Sequence, residues 1–192
     1  MNKKYEFVEG DEVTTPSGVT LKRIRALAAM AATAFTPAVN PGDLGGYIQS
    51  ESNLSETGNA WVSGNARVFG NARVYDNAQV YDNAWVSGSA RVYDNAWVSG
   101  DAQVSGDAQV SDDGLIFWAS KVGTDNGTLT VYNTKNNTLL VTRGCFLGSP
   151  AAFLEKSKQV HDKRTHHEYK LLIEVATSRI EAARTALPAV PN

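Results

Sequence analysis

The 192-residue chain carries one cysteine, Cys145, and three histidines, all after residue 160 (His161, His166, His167). A single thiol excludes an intramolecular disulfide and fits a reducing compartment. No apolar run approaches the roughly twenty residues that a membrane-spanning helix needs. Excess charge of either sign is also missing: 18 basic and 20 acidic residues leave a net charge of -2. That balance gives no support for direct binding to a nucleic-acid backbone. Lys3 and Lys4 followed by the apolar stretch 26–35 faintly imitate an export signal. Glu6, Glu9, Asp11 and Glu12 intervene, however, and Lys22, Arg23 and Arg25 lie too far from the start, so no export is expected. Glycine-rich phosphate loops are absent as well.

What the chain has in abundance is repetition. From Gly58 to Ser111 one six-residue phrase recurs nine times, from Gly-Asn-Ala-Trp-Val-Ser to Gly-Asp-Ala-Gln-Val-Ser. A fixed short period marks a solenoid. Valine holds one position of each copy (Val62 and every sixth residue to Val110), and alanine holds the position two earlier (Ala60 to Ala108). Residues two apart in a strand share a face, so Ala and Val point inward and the residue between them points out. Gly or Asp followed by Asn, Asp or Ser supplies turn chemistry at each corner. The same phase is read upstream, with Ile48 and Leu54 in register with Ala60 and Gly46 in the corner-glycine position. Downstream, 112–117 reads as a degraded copy with Ile116 in the valine slot. The expected solenoid covers 42–117 in roughly four coils.

The phrase Val-Ser-Gly-Asn-Ala-Arg (62–67) resembles the hexapeptide-repeat signature of left-handed parallel β-helices. That resemblance implies a left hand and a triangular coil of three hexads. Stacking every eighteenth residue then predicts outward rows of Trp61, Gln79 and Trp97; Arg67, Trp85 and Gln103; and Arg73, Arg91 and Gln109. The residue after each valine adds rows of Ser63, Tyr81, Ser99 and Phe117; Phe69, Ser87 and Ser105; and Tyr75, Tyr93 and Ser111. So much aromatic surface on a narrow prism points to an interface, with ladder stacking as the structural alternative.

The fold class expected is mainly β: a left-handed parallel β-helix with a β cap and connector over 1–41 and a small α+β unit over 118–192. In the cap, 5–8 and 19–27 read as strands around the turn Thr15-Pro16-Ser17-Gly18, with 28–38 as a connector or short helix. In the C-terminal unit, 128–132 and 138–142 read as a hairpin around Lys135-Asn136-Asn137. Ser149-Pro150 opens a helix to about His161. A second helix over about 166–184 carries the apolar stripe Tyr169, Leu172, Ile173, Ala176, Ile180 and Ala183.

Gly42-Asp43-Leu44-Gly45-Gly46-Tyr47-Ile48, the hexads, and Arg143-Gly144-Cys145-Phe146 together resemble bacteriophage and prophage proteins. This resemblance implies a viral protein made in the cytoplasm of a bacterial host, and it carries over no catalytic residue. Many left-handed β-helices are trimeric acyltransferases, but those use a histidine base between coils, and none falls in 42–117. The γ-carbonic anhydrase pattern fails for want of coil histidines, and ice-binding faces need rows of threonine. Cys145, His161 and His166 match no standard metal spacing. Neither catalytic residues, a metal nor a cofactor is therefore expected.

The reading that follows is a non-enzymatic binding or scaffold protein whose partner is a host bacterial protein, its own copies, or both, with a homo-oligomer expected. Trp61, Trp85, Trp97, Tyr75, Tyr81 and Tyr93, with Arg67, Arg73 and Arg91, are the candidate anchors, because interface energy concentrates in Trp, Tyr and Arg. Two alternatives stand beside it. One is an acyltransferase-like or small-ligand site between subunits; the other is an acidic face imitating DNA, built from Asp94, Asp101, Asp107 and Asp113.

Overall fold

The computed structural model describes residues 3–32 and 37–186. It is mainly β, built around a parallel solenoid with an antiparallel extension at one end and a sheet-and-helix unit at the other. Nine two-residue strands, one per hexad, form the prism: β4 (Trp61–Val62), β5 (Arg67–Val68), β6 (Arg73–Val74), β7 (Gln79–Val80), β8 (Trp85–Val86), β9 (Arg91–Val92), β10 (Trp97–Val98), β11 (Gln103–Val104) and β12 (Gln109–Val110). Strands three hexads apart pair in parallel, giving one face from β4, β7 and β10, a second from β6, β9 and β12, and a third containing β5, β8 and β11.

The inward positions behave as the pattern dictates. Every Ala from Ala60 to Ala108 and every Val from Val62 to Val110 is buried. The first corner residue of each copy is left-handed, as glycine at Gly64, Gly70 and Gly88 and as aspartate at Asp76, Asp82 and Asp94. Aspartate tolerates that region better than most side chains. The second corner position stacks side chains in ladders, amide on amide from Asn59 to Asn77 to Asn95 at one corner, and from Asn65 to Asn83 to the Asp101 carboxylate at another.

The first coil departs from the expected phase. Strand β3 (Leu44–Ile48) pairs in parallel with β5, placing Ile48 beside Val68, and Leu54 bridges to Val74. Ile48 and Leu54 therefore occupy the valine slot rather than the alanine slot, and Gly46 stands where Ala66 stands one coil later. The cause lies in 55–59, which holds two residues more than a hexad corner. On the near side of Leu54, Asn53 ties the preceding 3-10 turn, 51–53, to the next coil by donating its amide to the carbonyls of Gly70 and Ala72.

Both open ends are covered. Strands β1 (Tyr5–Thr14) and β2 (Thr20–Ala26) form the expected hairpin, and β2 pairs antiparallel with β3, extending one face to six strands. Tyr5 and Ile24 close the bottom of the core, and Tyr5 donates its hydroxyl to the carbonyls of Leu54 and Glu51. The connector shows a Met30–Val39 bridge and no helix in its described part; 33–36 lie outside the described residues.

At the other end the expected final hexad is not a coil. Asp113–Leu115 is a 3-10 turn, and Ile116 opens β13 (Ile116–Val122), the first strand of an antiparallel sheet with β14 (Gly127–Asn133), β15 (Leu139–Arg143) and β16 (Phe146–Gly148). The sheet lies over the last coil, whose edge amides and carbonyls would otherwise be unpaired. Thr130 and Tyr132 accept from the amides of Gln103 and Ser105, while Thr142 and Asn133 donate to the carbonyls of Gln103 and Gln109. Side chains thus end the ladder where another coil would have continued it. Helices α1 (Pro150–Val160), capped by Ser149, and α2 (Lys163–Ala186) pack on the sheet, α2 through Tyr169, Ile173, Ala176 and Ile180.

A candidate binding groove on one face of the solenoid

The three faces differ in what covers them. On the β4-β7-β10 face the outward row is Trp61, Gln79 and Trp97, in register as the eighteen-residue spacing requires. Trp61 is only 3% exposed and Gln79 7%. Gln79 points outward yet is fixed, donating its amide to the carbonyls of Asn59 and Asn77. Trp61 therefore belongs to the packed interior and not to an exposed aromatic row, with the backbone of β3 at Gly45 lying close against its indole.

Walls from the two ends of the chain turn this face into a groove. At one end a cavity of about 480 Å³ is bounded by Val39, Leu44, Trp61, Gln79, Tyr81 and Asp82. At the other, a cavity of about 340 Å³ is bounded by Tyr81, Trp97, Phe117, Trp118, Asp113 and Arg179. The first occupies rungs one and two and the second rungs two and three, with Tyr81 lining both. The Trp118 indole lies over Gly100, where a side chain would meet its Nε1. Burial, then the adjacent Asp112 carboxylate, pushes the Asp113 carboxyl above the ordinary carboxylate range. The floor is aromatic, with Asp82 at one end and Asp113 with Arg179 at the other.

The remaining anchors lie elsewhere. On the β5-β8-β11 face the Arg67 guanidinium sits 4.9 Å from the Trp85 ring centre, and Phe69 meets Trp85 edge-on at 6.1 Å. On the β6-β9-β12 face Tyr75 and Tyr93 stack at 5.1 Å with rings 4° apart, beside the exposed, directly opposed Arg73 and Arg91. Aromatic ladders are thus present on two faces, and the nine candidate residues divide among all three. Only Trp61, Tyr81 and Trp97 meet at the groove.

The aspartates do not assemble into a column. Asp94, Asp101 and Asp107 stand at three different corners of the prism, and Asp113 lies in the 3-10 turn beyond it. Asp101 instead neighbours Asp82, whose carboxylate accepts from the Gly100 amide. Cys145 and His161 line a third pocket on the C-terminal unit, and His166 shares the Ser157 hydroxyl with His161.

The eighteen-residue row that holds Tyr81 also placed Phe117 here, but periodicity could not have found Trp118 or Arg179, which reach the groove from outside the repeat. The fourth tryptophan falling just where the hexads fail was the available signal.

This arrangement defines a parallel β-solenoid scaffold with covered ends. Overlapping segments 60–76, 66–80, 78–94 and 90–106 match the profile of the YdcK Beta solenoid repeat, so this part of the chain is similar to that repeat family. A search of the curated proteins finds no match to the chain.

Proposed function

We propose that the protein is a non-enzymatic binding scaffold whose groove seats an apolar segment of a protein partner. The observation that carries this reading is the meeting of Tyr81, Trp97, Phe117 and Trp118 between walls supplied by the two ends of the chain. A groove framed by a repeating backbone binds without the cost of ordering loops. Half-buried aromatic residues beside Arg179 match the residue types in which interface energy concentrates. The resemblance of 42–48 and 143–146 to phage and prophage proteins favours a bacterial host protein as the partner, held inactive when bound. A host defence factor, met in the cytoplasm, fits that reading.

The test is affinity capture from bacterial lysate followed by calorimetry on the recovered partner. Trp97→Ala and Tyr81→Ala should each cost at least about 2 kcal/mol, roughly thirtyfold in Kd, while Arg91→Ala on another face should cost little. Equal losses from Arg91→Ala and Trp97→Ala would remove the groove from the mechanism. Light scattering then separates a partner from self-association, since a homo-oligomer broken by Trp97→Ala would mean that the groove seats a second copy.

A further inference from the structure

The third pocket, on the C-terminal unit, is remote from the groove and unused by the proposed scaffold function. Its volume is about 230 Å³, and it opens between the β15–β16 turn, Asp125 of the 123–126 loop and helix α1. Three nitrogen bases or cations line it, Arg143, Lys156 and His161, against one carboxylate, Asp125. We propose that this pocket binds a small oxyanion, a phosphate or carboxylate, carried on a flat apolar body.

Each cationic group is positioned but incompletely used. Arg143 donates Nε to the Tyr169 hydroxyl at 3.1 Å and Nη2 to the Val122 carbonyl at 3.3 Å. Its guanidinium lies against the Gly127 backbone, where any side chain would collide with it. These contacts hold the planar fork in place, and among the described residues it makes no ion pair. Lys156 sits 5.6 Å from the Phe146 ring centre and, among the described residues, has no carboxylate partner. His161 spends Nδ1 on Ser157, which leaves Nε2 without a partner among the described residues. A fixed guanidinium flanked by an ammonium and an imidazole is a recognition set for an oxyanion, with Arg giving geometry and Lys a point charge.

The apolar half of the pocket is equally defined. Phe146, Phe153 and Tyr169 meet edge-to-face at 5.2 Å and 5.1 Å, and His161 tilts against Tyr169 at 5.4 Å. This wall favours a planar group attached to the anion over a bare ion.

Cys145, the chain's only cysteine, is exposed and lines the same pocket, which makes it a built-in reporter. The experiment follows iodoacetamide alkylation of Cys145 in the full chain with phenyl phosphate, benzoate, inorganic phosphate or benzyl alcohol, alongside calorimetry. Phenyl phosphate or benzoate should slow alkylation severalfold in a saturable way, with Kd on the order of 1 mM or tighter. Inorganic phosphate should protect more weakly, and neutral benzyl alcohol not at all. Whichever of the two aromatic anions protects better identifies the head group. Lys156→Gln and His161→Gln, each checked for native circular dichroism, should lose most of the protection, and Lys158→Gln, outside the pocket, should keep it. Absence of protection and of binding heat would overturn the proposal. So would equal protection by benzyl alcohol, or equal loss in Lys158→Gln.

Discussion

Replacing Gly46 by alanine places a methyl group where every later coil already has one, yet the first coil has no room for it. A Cβ there would lie 2.7 Å from the Ala66 carbonyl oxygen and 2.8 Å from Val62 Cγ1. Neither neighbour can retreat freely. Ala66 O accepts from the Tyr47 amide at 2.9 Å, and Val62 is fully buried in the core column. Relief requires opening the ladder between β3 and β5, and overpacking of this kind costs about 1–3 kcal/mol. For a chain of this length, that lowers the melting temperature by roughly 4–8 °C at 2 kcal/mol. The reciprocal change, Ala66→Gly, also destabilises: one lost buried methyl costs about 0.8 kcal/mol, and the greater backbone freedom that glycine loses on folding adds to it. Two residues in the same slot of adjacent coils should therefore each reject the other's side chain. Scanning calorimetry of both variants provides the check. A Gly46→Ala melt within about 1 °C of the parent would refute the close approach inferred at the first coil.

Two further perturbations probe the ends. Tyr132→Phe removes the hydroxyl that accepts from the Ser105 amide at 3.2 Å, in a site where burial pushes the phenol up to about 12. The orphaned amide should cost about 1–3 kcal/mol, read as a lower urea midpoint, and an unchanged midpoint would mean that the last coil's edge is sealed otherwise. At the other end Lys4 is 5% exposed and donates to the Ala60 carbonyl. Its burial pulls the ammonium down from 10.5 to about 8, against the opposing pull of Glu56. Between those values the unfolded chain binds more protons, so stability should rise with pH from about 8 toward 10. Above pH 10 the sign reverses, because burial raises the phenols of Tyr5 and Tyr132 and the unfolded chain loses those protons first. Thermal melts should show a maximum near pH 10, with the rise abolished in Lys4→Met; a steady fall from pH 8 would contradict the depressed ammonium.

The prism was legible because its cause is local. Ala and Val two apart, with a turn pair between copies, dictate burial and corner regardless of what surrounds them, and eighteen-residue stacking follows from three sides. Register at the first coil was not legible in this way. Ile48 and Leu54 keep the six-residue spacing, but the two additional residues within 55–59 shift their slot, and only pairing with Val68 and Val74 reveals it. Ile116 misled for a similar reason: a valine-slot residue in phase reads the same whether the strand continues the solenoid or leaves it. Exposure of the rows was the least legible property. Trp61 and Trp97 are equivalent in the repeat, yet the backbone of β3 lies close against one and the start of β13 walls the other, contacts between segments that share no period.

Eighteen residues make one coil, and this makes the prism a ruler with three-hexad graduations. Removing or inserting three hexads would shorten or lengthen it by about 4.8 Å and leave each wall over its own face. Removing a single hexad would turn one end against the other by a face. The connector and β13 would then border different sides, and neither would complete a groove. Length variation in related chains should accordingly come in whole coils wherever the two walls must meet.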